Sequence, residues 1–72
     1  MPSLTHRQYD ALERAIVVGR RIALYRRGTE YVLVPLAIRE KNGRELVEAR
    51  NPGTGDVITL YLDELERLEV VP

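Results

Sequence analysis

The sequence predicts a mainly β protein in which one N-terminal α-helix is followed by five short antiparallel strands. Three observations lead to this fold class. The dipeptide Asn42-Gly43 lies between two runs with strand character, apolar residues alternate with period two over most of residues 21–71, and residues 5–18 show helical periodicity instead. Asn-Gly between such runs favours a type I′ turn, which needs positive φ at both central residues, so a hairpin is expected in the middle of the chain.

Residues 5–18 have the features of one amphipathic helix. Thr5 and Gln8 have the spacing of a capping box, in which each side chain bonds to the backbone amide of the other residue. Gly19 stands where a glycine in the left-handed conformation commonly ends a helix. The stripe expected to face the core consists of Tyr9, Leu12, Ala15 and Ile16.

The predicted strands cover residues 21–27, 30–40, 44–50, 56–62 and 66–71. Both faces of the second strand are apolar, which predicts a central strand covered on both sides. Pro35 lacks an amide proton, so a bulge or bend is expected there. Before the last strand, residues 63–65 suggest a single helical turn in which Asp63 acts as the cap.

Length and composition indicate one domain, residues 1–72. A chain of this size buries only about 60% of its unfolded surface, so oligomerisation would add useful stability. It has no cysteine, which excludes disulfides and Cys-ligated zinc. Since there is no apolar run of about 18 residues and no signal-peptide pattern at the start, a soluble cytoplasmic protein is expected.

Charge is distributed unevenly although the whole chain is neutral. Residues 1–27 carry six arginines and two acidic residues, a net +4, whereas residues 51–72 carry one arginine and five acidic residues, a net −4. Such polarity can mark a nucleic-acid surface. The alternative is that the two ends of the chain lie side by side and neutralise each other, and the topology described next favours this alternative.

Two stretches carry a family resemblance. Residues 22–26, Ile-Ala-Leu-Tyr-Arg, resemble the first strand of WYL domains, and residues 58–70 resemble their closing segment. WYL domains are Sm-like modules common in bacterial transcriptional regulators. The resemblance, which covers most of residues 11–71, implies a small five-stranded antiparallel SH3-like or Sm-like barrel with the first and last strands adjacent. Cross-strand pairs between Arg20, Arg21, Arg26, Arg27 and Glu66, Glu69 are then expected.

The chain also departs from the WYL pattern. The tripeptide that names the family would fall at residues 45–47, which are Glu-Leu-Val. The family's arginines of the closing segment are replaced by Tyr61 and Glu64, and those basic positions belong to the family's supposed ligand-binding face. The departures weaken the case for a nucleic-acid or charged-ligand role and leave the barrel intact.

No constellation for catalysis, metal binding or a cofactor is visible in the sequence. His6 and Ser3 are the sole residues of their types, so neither a histidine-based metal site nor a serine triad can be completed. The Gly-Thr-Gly sequence at residues 53–55 lacks the lysine and following helix of a phosphate loop. The sequence therefore predicts a non-enzymatic protein without catalytic, metal or cofactor-binding residues.

The tyrosines and arginines of the strands form the candidate binding face. Its members are Arg20, Arg21, Tyr25, Arg26, Arg27, Arg50 and Tyr61. Exposed tyrosines among arginines can stack nucleic-acid bases, but they are also typical of subunit interfaces or can pack beneath a helix. The favoured function is a self-associating interaction module, WYL-like or Sm-like, that serves a regulatory or other protein partner. The alternative is nucleic-acid binding, and a small ligand is a further possibility.

Overall fold

The predicted fold class is confirmed by a computed structural model, which describes residues 4–72. The elements are α1 (His6–Val18), β1 (Ile22–Arg26), β2 (Thr29–Lys41), β3 (Arg44–Arg50), β4 (Val57–Tyr61), a 3₁₀ turn (Leu62–Glu64) and β5 (Arg67–Val70). All neighbouring strands are antiparallel, and the sheet order is β4-β3-β2-β1-β5. β1 therefore lies beside β5, as the resemblance implies.

Helix α1 has the predicted ends. The Thr5 hydroxyl accepts a hydrogen bond from the Gln8 amide at 3.1 Å, and the Gln8 side chain accepts one from the Thr5 amide at 3.0 Å. Gly19 ends the helix in the left-handed conformation, with φ of 75°. Leu12 and Ala15 of the predicted stripe are buried, which fixes the rotation of α1 on the core.

The central hairpin has the turn geometry that Asn-Gly favours. Asn42 has φ of 52° and Gly43 has φ of 78°, so both lie in the left-handed region that a type I′ turn requires. The flanking residues Lys41 and Arg44 pair directly. The turn thus fixes the register of β2 against β3.

The bulge expected at Pro35 is present and determines which residues of β2 face the core. The β2–β3 register shifts between Pro35 and Ala37. Before the shift Leu33 and Pro35 are buried, and after it Ile38 packs against the core. One extra residue in a strand reverses which residues point to the core. Odd-numbered residues of β2 therefore face inward before the bulge, and even-numbered Ile38 faces inward after it.

The prediction that β2 is covered on both faces is wrong, although the strand is central. Val32 and Leu36, on the outer surface, are each 40% exposed. The sheet curves around one core, and α1 adds Leu12 and Ala15 to that same core. No helix remains among residues 4–72 to cover the other side of β2.

A single apolar cluster joins the helix, the strands and the 3₁₀ turn. Its buried members are Leu12, Ala15, Ile22, Leu24, Leu33, Val47, Ala49, Leu60, Leu62, Leu65 and Leu68. Val47 pairs with Leu60, and Ile22 pairs with Val70, so inward-facing residues of neighbouring strands lie side by side. Each strand contributes to the core through alternate residues, as period-two alternation predicts.

The expected ion pairs between β1 and β5 do not form as predicted. In the register Glu69 lies opposite Ala23 and Arg67 opposite Tyr25, while Arg20, Arg21 and Arg27 lie beyond the ends of β1. Those three arginines have no salt bridge within residues 4–72. Neutralisation occurs instead through Arg26 and the 3₁₀ turn, as described below.

Within residues 4–72, no helix has the length and apolar character needed to cross a membrane.

Candidate interaction surface

The seven residues of the candidate binding face lie at separate places on the molecule. Arg20 and Arg21 precede β1, at the end of the sheet where α1 finishes and residue 71 bonds to the Arg21 carbonyl. Tyr25, Arg26 and Arg27 lie at the opposite end of β1. The remaining two are on the other half of the sheet, Arg50 at the end of β3 and Tyr61 at the end of β4.

Arg26 and Tyr61 are linked through a group of ionic side chains, which we call the arginine–carboxylate cluster: Arg26, Arg44, Asp63 and Glu64. Arg44 holds Asp63 with two hydrogen bonds, Nε to Oδ2 at 3.0 Å and Nη2 to Oδ1 at 2.7 Å. Glu64 bridges the two arginines, with one oxygen 3.3 Å from Arg44 and the other 3.6 Å from Arg26. The cluster thereby ties β1 and β3 to the turn between β4 and β5.

Both arginines of the cluster also contact an aromatic ring. The Arg44 guanidinium lies 3.7 Å from the centroid of the Tyr61 ring, and that of Arg26 lies 5.4 Å from the Tyr31 ring. Arg26 also donates a hydrogen bond to the Tyr31 hydroxyl at 3.3 Å. A guanidinium that meets carboxylates at its edge and a ring at its face is held in one orientation.

The candidate binding face predicted from the sequence did not include Arg44. The prediction that Asp63 caps the helical turn before β5 is wrong. Tyr61 precedes the turn with no capping side-chain bond, and the Asp63 carboxylate is engaged by Arg44. The β3–β4 register pairs Leu46 with Tyr61, and its continuation by two residues sets Arg44 opposite Asp63. The pairing of Arg44 with Asp63 could have been predicted from the sequence if the β3–β4 register had been known.

Acid should weaken the cluster, because the hydrogen bonds from Arg44 hold the pKa of the Asp63 carboxyl below its ordinary value. A carboxyl whose pKa is lower in the folded state than in the unfolded state stabilises the protein at any pH above its unfolded-state pKa. This stabilisation is lost as the pH falls through the folded-state pKa. We expect Arg44→Met to unfold at lower urea concentration than wild type at pH 6. The difference in the free energy of unfolding should narrow between about pH 5 and pH 2.

The control for this pH series is Arg7→Met, which removes an exposed arginine of α1. Both variants lose one positive charge, so a general effect of net charge would narrow both differences equally. If the free energies of unfolding of Arg44→Met and wild type differ by the same amount at every pH down to 2, ionised Asp63 does not stabilise the folded protein through Arg44.

Tyr9 and Tyr25, which do not contact the arginine–carboxylate cluster, each donate a hydrogen bond to a carboxylate. The Tyr25 hydroxyl donates to Glu30 at 2.5 Å, and the bond raises the Tyr25 pKa. Tyr9 packs against the core, in agreement with the predicted stripe, and its hydroxyl donates to Glu45 at 2.8 Å. That bond, assisted by burial, raises the pKa of Tyr9 to about 12 and connects α1 to β3.

Strand β4 forms one edge of the sheet and lacks the residues that usually prevent pairing with another strand. It pairs with β3 on one side and stands at one end of the strand order, so its other side is unpaired within residues 4–72. Its five residues, Val-Ile-Thr-Leu-Tyr, include neither a charge nor a proline. On the outer surface Val57, Arg50 and Val34 lie side by side in register, and Val57 is 54% exposed. The β4 edge is therefore an accessible and uncharged feature of the described chain, whereas Arg50 places a charge between the two valines of the adjoining row.

Comparison with known proteins identifies one structural relative. No protein-family model and no curated protein sequence matches the chain. Among solved structures, proteasome accessory factor B/C (PafBC) of Arthrobacter aurescens is similar over 97% of this chain, with 26% sequence identity and a TM-score of 0.75. PafBC is a WYL-domain-containing regulator. The likeness supports a WYL-like domain. The WYL-like chain spans 12% of that PafBC chain.

Proposed function

We propose that this WYL-like chain is a non-enzymatic interaction module that self-associates by pairing the edges of two β4 strands. The observation that carries the proposal is the sheet edge formed by β4, which has neither a charge nor a proline. An edge strand presents unpaired amide and carbonyl groups, and proteins normally protect such edges with charged residues, prolines or bulges. The other edge has this protection, because β5 carries Arg67 and Glu69.

The sequence of β4 suits antiparallel pairing with a second copy of itself. A register centred on Thr59 sets Val57 opposite the partner's Tyr61 and Ile58 opposite the partner's Leu60. Aromatic and β-branched cross-strand pairs are favourable, contributing roughly 0.2–1 kcal/mol each. The arrangement has twofold symmetry and closes on itself, which is the commonest form of homo-oligomer.

Pairing of β4 with β5 of a second copy is less favourable. It sets charged Arg67 and Glu69 of β5 among the uncharged residues of β4. It is also a head-to-tail contact, which must close into a ring or continue as a filament. The composition of the two edges thus favours a symmetric dimer over a chain of copies.

The proposal includes a regulatory role, which the likeness to PafBC supports in general terms. A dimeric module can join two copies of whatever it is attached to or bound by. The alternative function is nucleic-acid binding through the Arg20, Arg21, Tyr25, Arg26 and Arg27 set. Within that set the Tyr25 hydroxyl and the Arg26 guanidinium contact carboxylates of the same chain, which favours self-association over nucleic-acid binding.

Substitution of Thr59 by lysine should convert the dimer to a monomer. Thr59 is exposed at the centre of β4, and in the proposed pairing two lysines would lie directly opposite each other. Light scattering after size exclusion should give twice the chain mass of 8.3 kDa for wild type and a single chain mass for Thr59→Lys. The wild-type mass should be the same at low and high salt, because strand pairing and apolar contact are not screened.

The matched control is Val32→Lys, on the outer surface of β2 and away from the edge. It should leave the dimer intact. If Val32→Lys loses the dimer and Thr59→Lys keeps it, the two copies associate through the outer faces of their sheets and not through the β4 edges. A wild-type monomer at all salt concentrations would overturn self-association. In that case, binding of an oligonucleotide that weakens steeply with salt would favour the nucleic-acid alternative.

A further inference from the structure

We infer that the groove between α1 and β5 is a binding site for a small carboxylate with an apolar body. The groove holds a cavity of about 550 Å³ that is partly open to solvent. Its lining residues are Ala11, Arg14, Ala15, Val18, Arg20 and Val70. This site is distinct from the proposed β4 interface, since no residue of β4 lines the cavity.

The floor and walls of the groove are apolar. Ala11 and Ala15 are small and follow each other one helical turn apart on α1, which leaves space between the helix and Val70 of β5. Val18 closes one side and is 60% exposed. Small-molecule sites typically enclose about 300–1,000 Å³ with mostly apolar walls and few polar groups, and the groove meets both criteria.

The main cavity is lined by two positively charged side chains and by no acidic side chain of the described residues. Arg14 and Arg20 line the main cavity, and a second cavity of about 360 Å³ is lined by Arg20, Arg21 and the last two residues of the chain. Arg14, Arg20 and Arg21 form no salt bridge and no side-chain hydrogen bond within residues 4–72. Arg26 and Arg44 are instead paired with carboxylates. Arg7, Arg27 and Arg50 also have no salt bridge within residues 4–72, but they line neither cavity. A guanidinium without a counter-ion binds carboxylates in a bidentate manner.

The shape of the site favours a small molecule over a polyanion. Nucleic-acid platforms combine a basic groove with aromatic side chains on which bases stack. No tyrosine lines either cavity; Tyr25, at the opposite end of β1 from Arg20, and Tyr61, on β4, lie elsewhere. An apolar cavity with arginines on one rim instead matches a ligand with an apolar body and one acidic end.

The test is a titration of the full chain with octanoate, followed by the amide resonances in two-dimensional NMR. Saturable shifts should be concentrated on α1 and β5 around Ala15, Val18 and Val70. Octanol, which has the same apolar chain without the charge, should bind at least about tenfold more weakly, as expected for the loss of one charge-assisted hydrogen bond. Equal affinity for octanol would overturn the assignment of a carboxylate site, and shifts scattered over the sheet would overturn its location.

Variants separate the charged rim from the apolar cavity. Arg14→Gln with Arg20→Gln should weaken octanoate binding by about tenfold or more and leave octanol binding unchanged. Ala11→Leu should fill the cavity and weaken the binding of both. Arg7→Gln, on α1 but outside the cavity, should bind as wild type. Unchanged octanoate affinity in both the arginine and the leucine variants, with native spectra, would refute the site.

Discussion

Replacing Leu60 with aspartate is expected to unfold the protein at neutral pH. Leu60 is 3% exposed and pairs with the fully buried Val47 at the centre of the core. Truncating a buried leucine to alanine already costs about 2–5 kcal/mol. A carboxylate there adds the cost of burying a charge, and the net stability of a domain of this length is only about 4–11 kcal/mol. Far-ultraviolet circular dichroism and urea denaturation should show no cooperative transition.

Two neighbouring changes make this prediction specific. Leu60→Met keeps the volume and should cost less than about 1.5 kcal/mol. Thr59→Asp introduces the same charge one residue earlier, on the exposed surface, and should leave a cooperative unfolding transition. If Leu60→Asp stays as stable as Thr59→Asp, the assignment of inward and outward faces in β4 is wrong.

Local patterns were sufficient to predict the elements of this fold. The capping box at Thr5, the left-handed Gly19 and the Asn42-Gly43 turn each depend on residues within a few positions of one another. Pro35 disrupts pairing because it lacks a donor, and the bulge follows from that covalent fact. Such features are encoded locally and can therefore be inferred before any tertiary contact is known.

Features that depend on distant residues were predicted less well. Whether the outer side of β2 is covered depends on where α1 packs, and the apolar residues Val32 and Leu36 do not reveal this. Asp63 suits a helix cap equally well until the register brings Arg44 opposite it. In the folded chain the Asp63 carboxylate accepts two hydrogen bonds from Arg44, and the 3₁₀ turn has no side-chain cap.

The candidate surface shows the same limit. Arg20 and Arg21 were grouped with Tyr25 because they are close in sequence. The extended β1 strand, however, places the two arginines and the tyrosine at opposite ends. In the folded chain Arg20 instead lines a cavity with Arg14, a residue of α1. Helical periodicity indicates which side of α1 faces inward, whereas the strand that borders its flank is determined by the topology of the sheet.

Tyr61→Asp is expected to remain folded and to halve the molar mass in solution. Tyr61 is half-buried at the end of β4, where its ring lies against the Arg44 guanidinium. A carboxylate at this position is next to the same guanidinium and accessible to water, so its charge does not disrupt the core. In the proposed pairing, however, Tyr61 lies opposite the partner's Val57, and both symmetric contacts would lose an aromatic–aliphatic pair and gain a desolvated charge.

Tyr61→Phe distinguishes this interpretation from a general effect on β4. Phenylalanine retains the ring that contacts Arg44 and the partner strand, so light scattering should give the same mass as wild type. Parallel circular dichroism should show the same fold in all three proteins. A Tyr61→Asp protein that is folded and keeps the mass of wild type would place the interface away from the end of β4. If Tyr61→Phe also dissociates, the hydroxyl group makes a contact between copies, because phenylalanine removes nothing else.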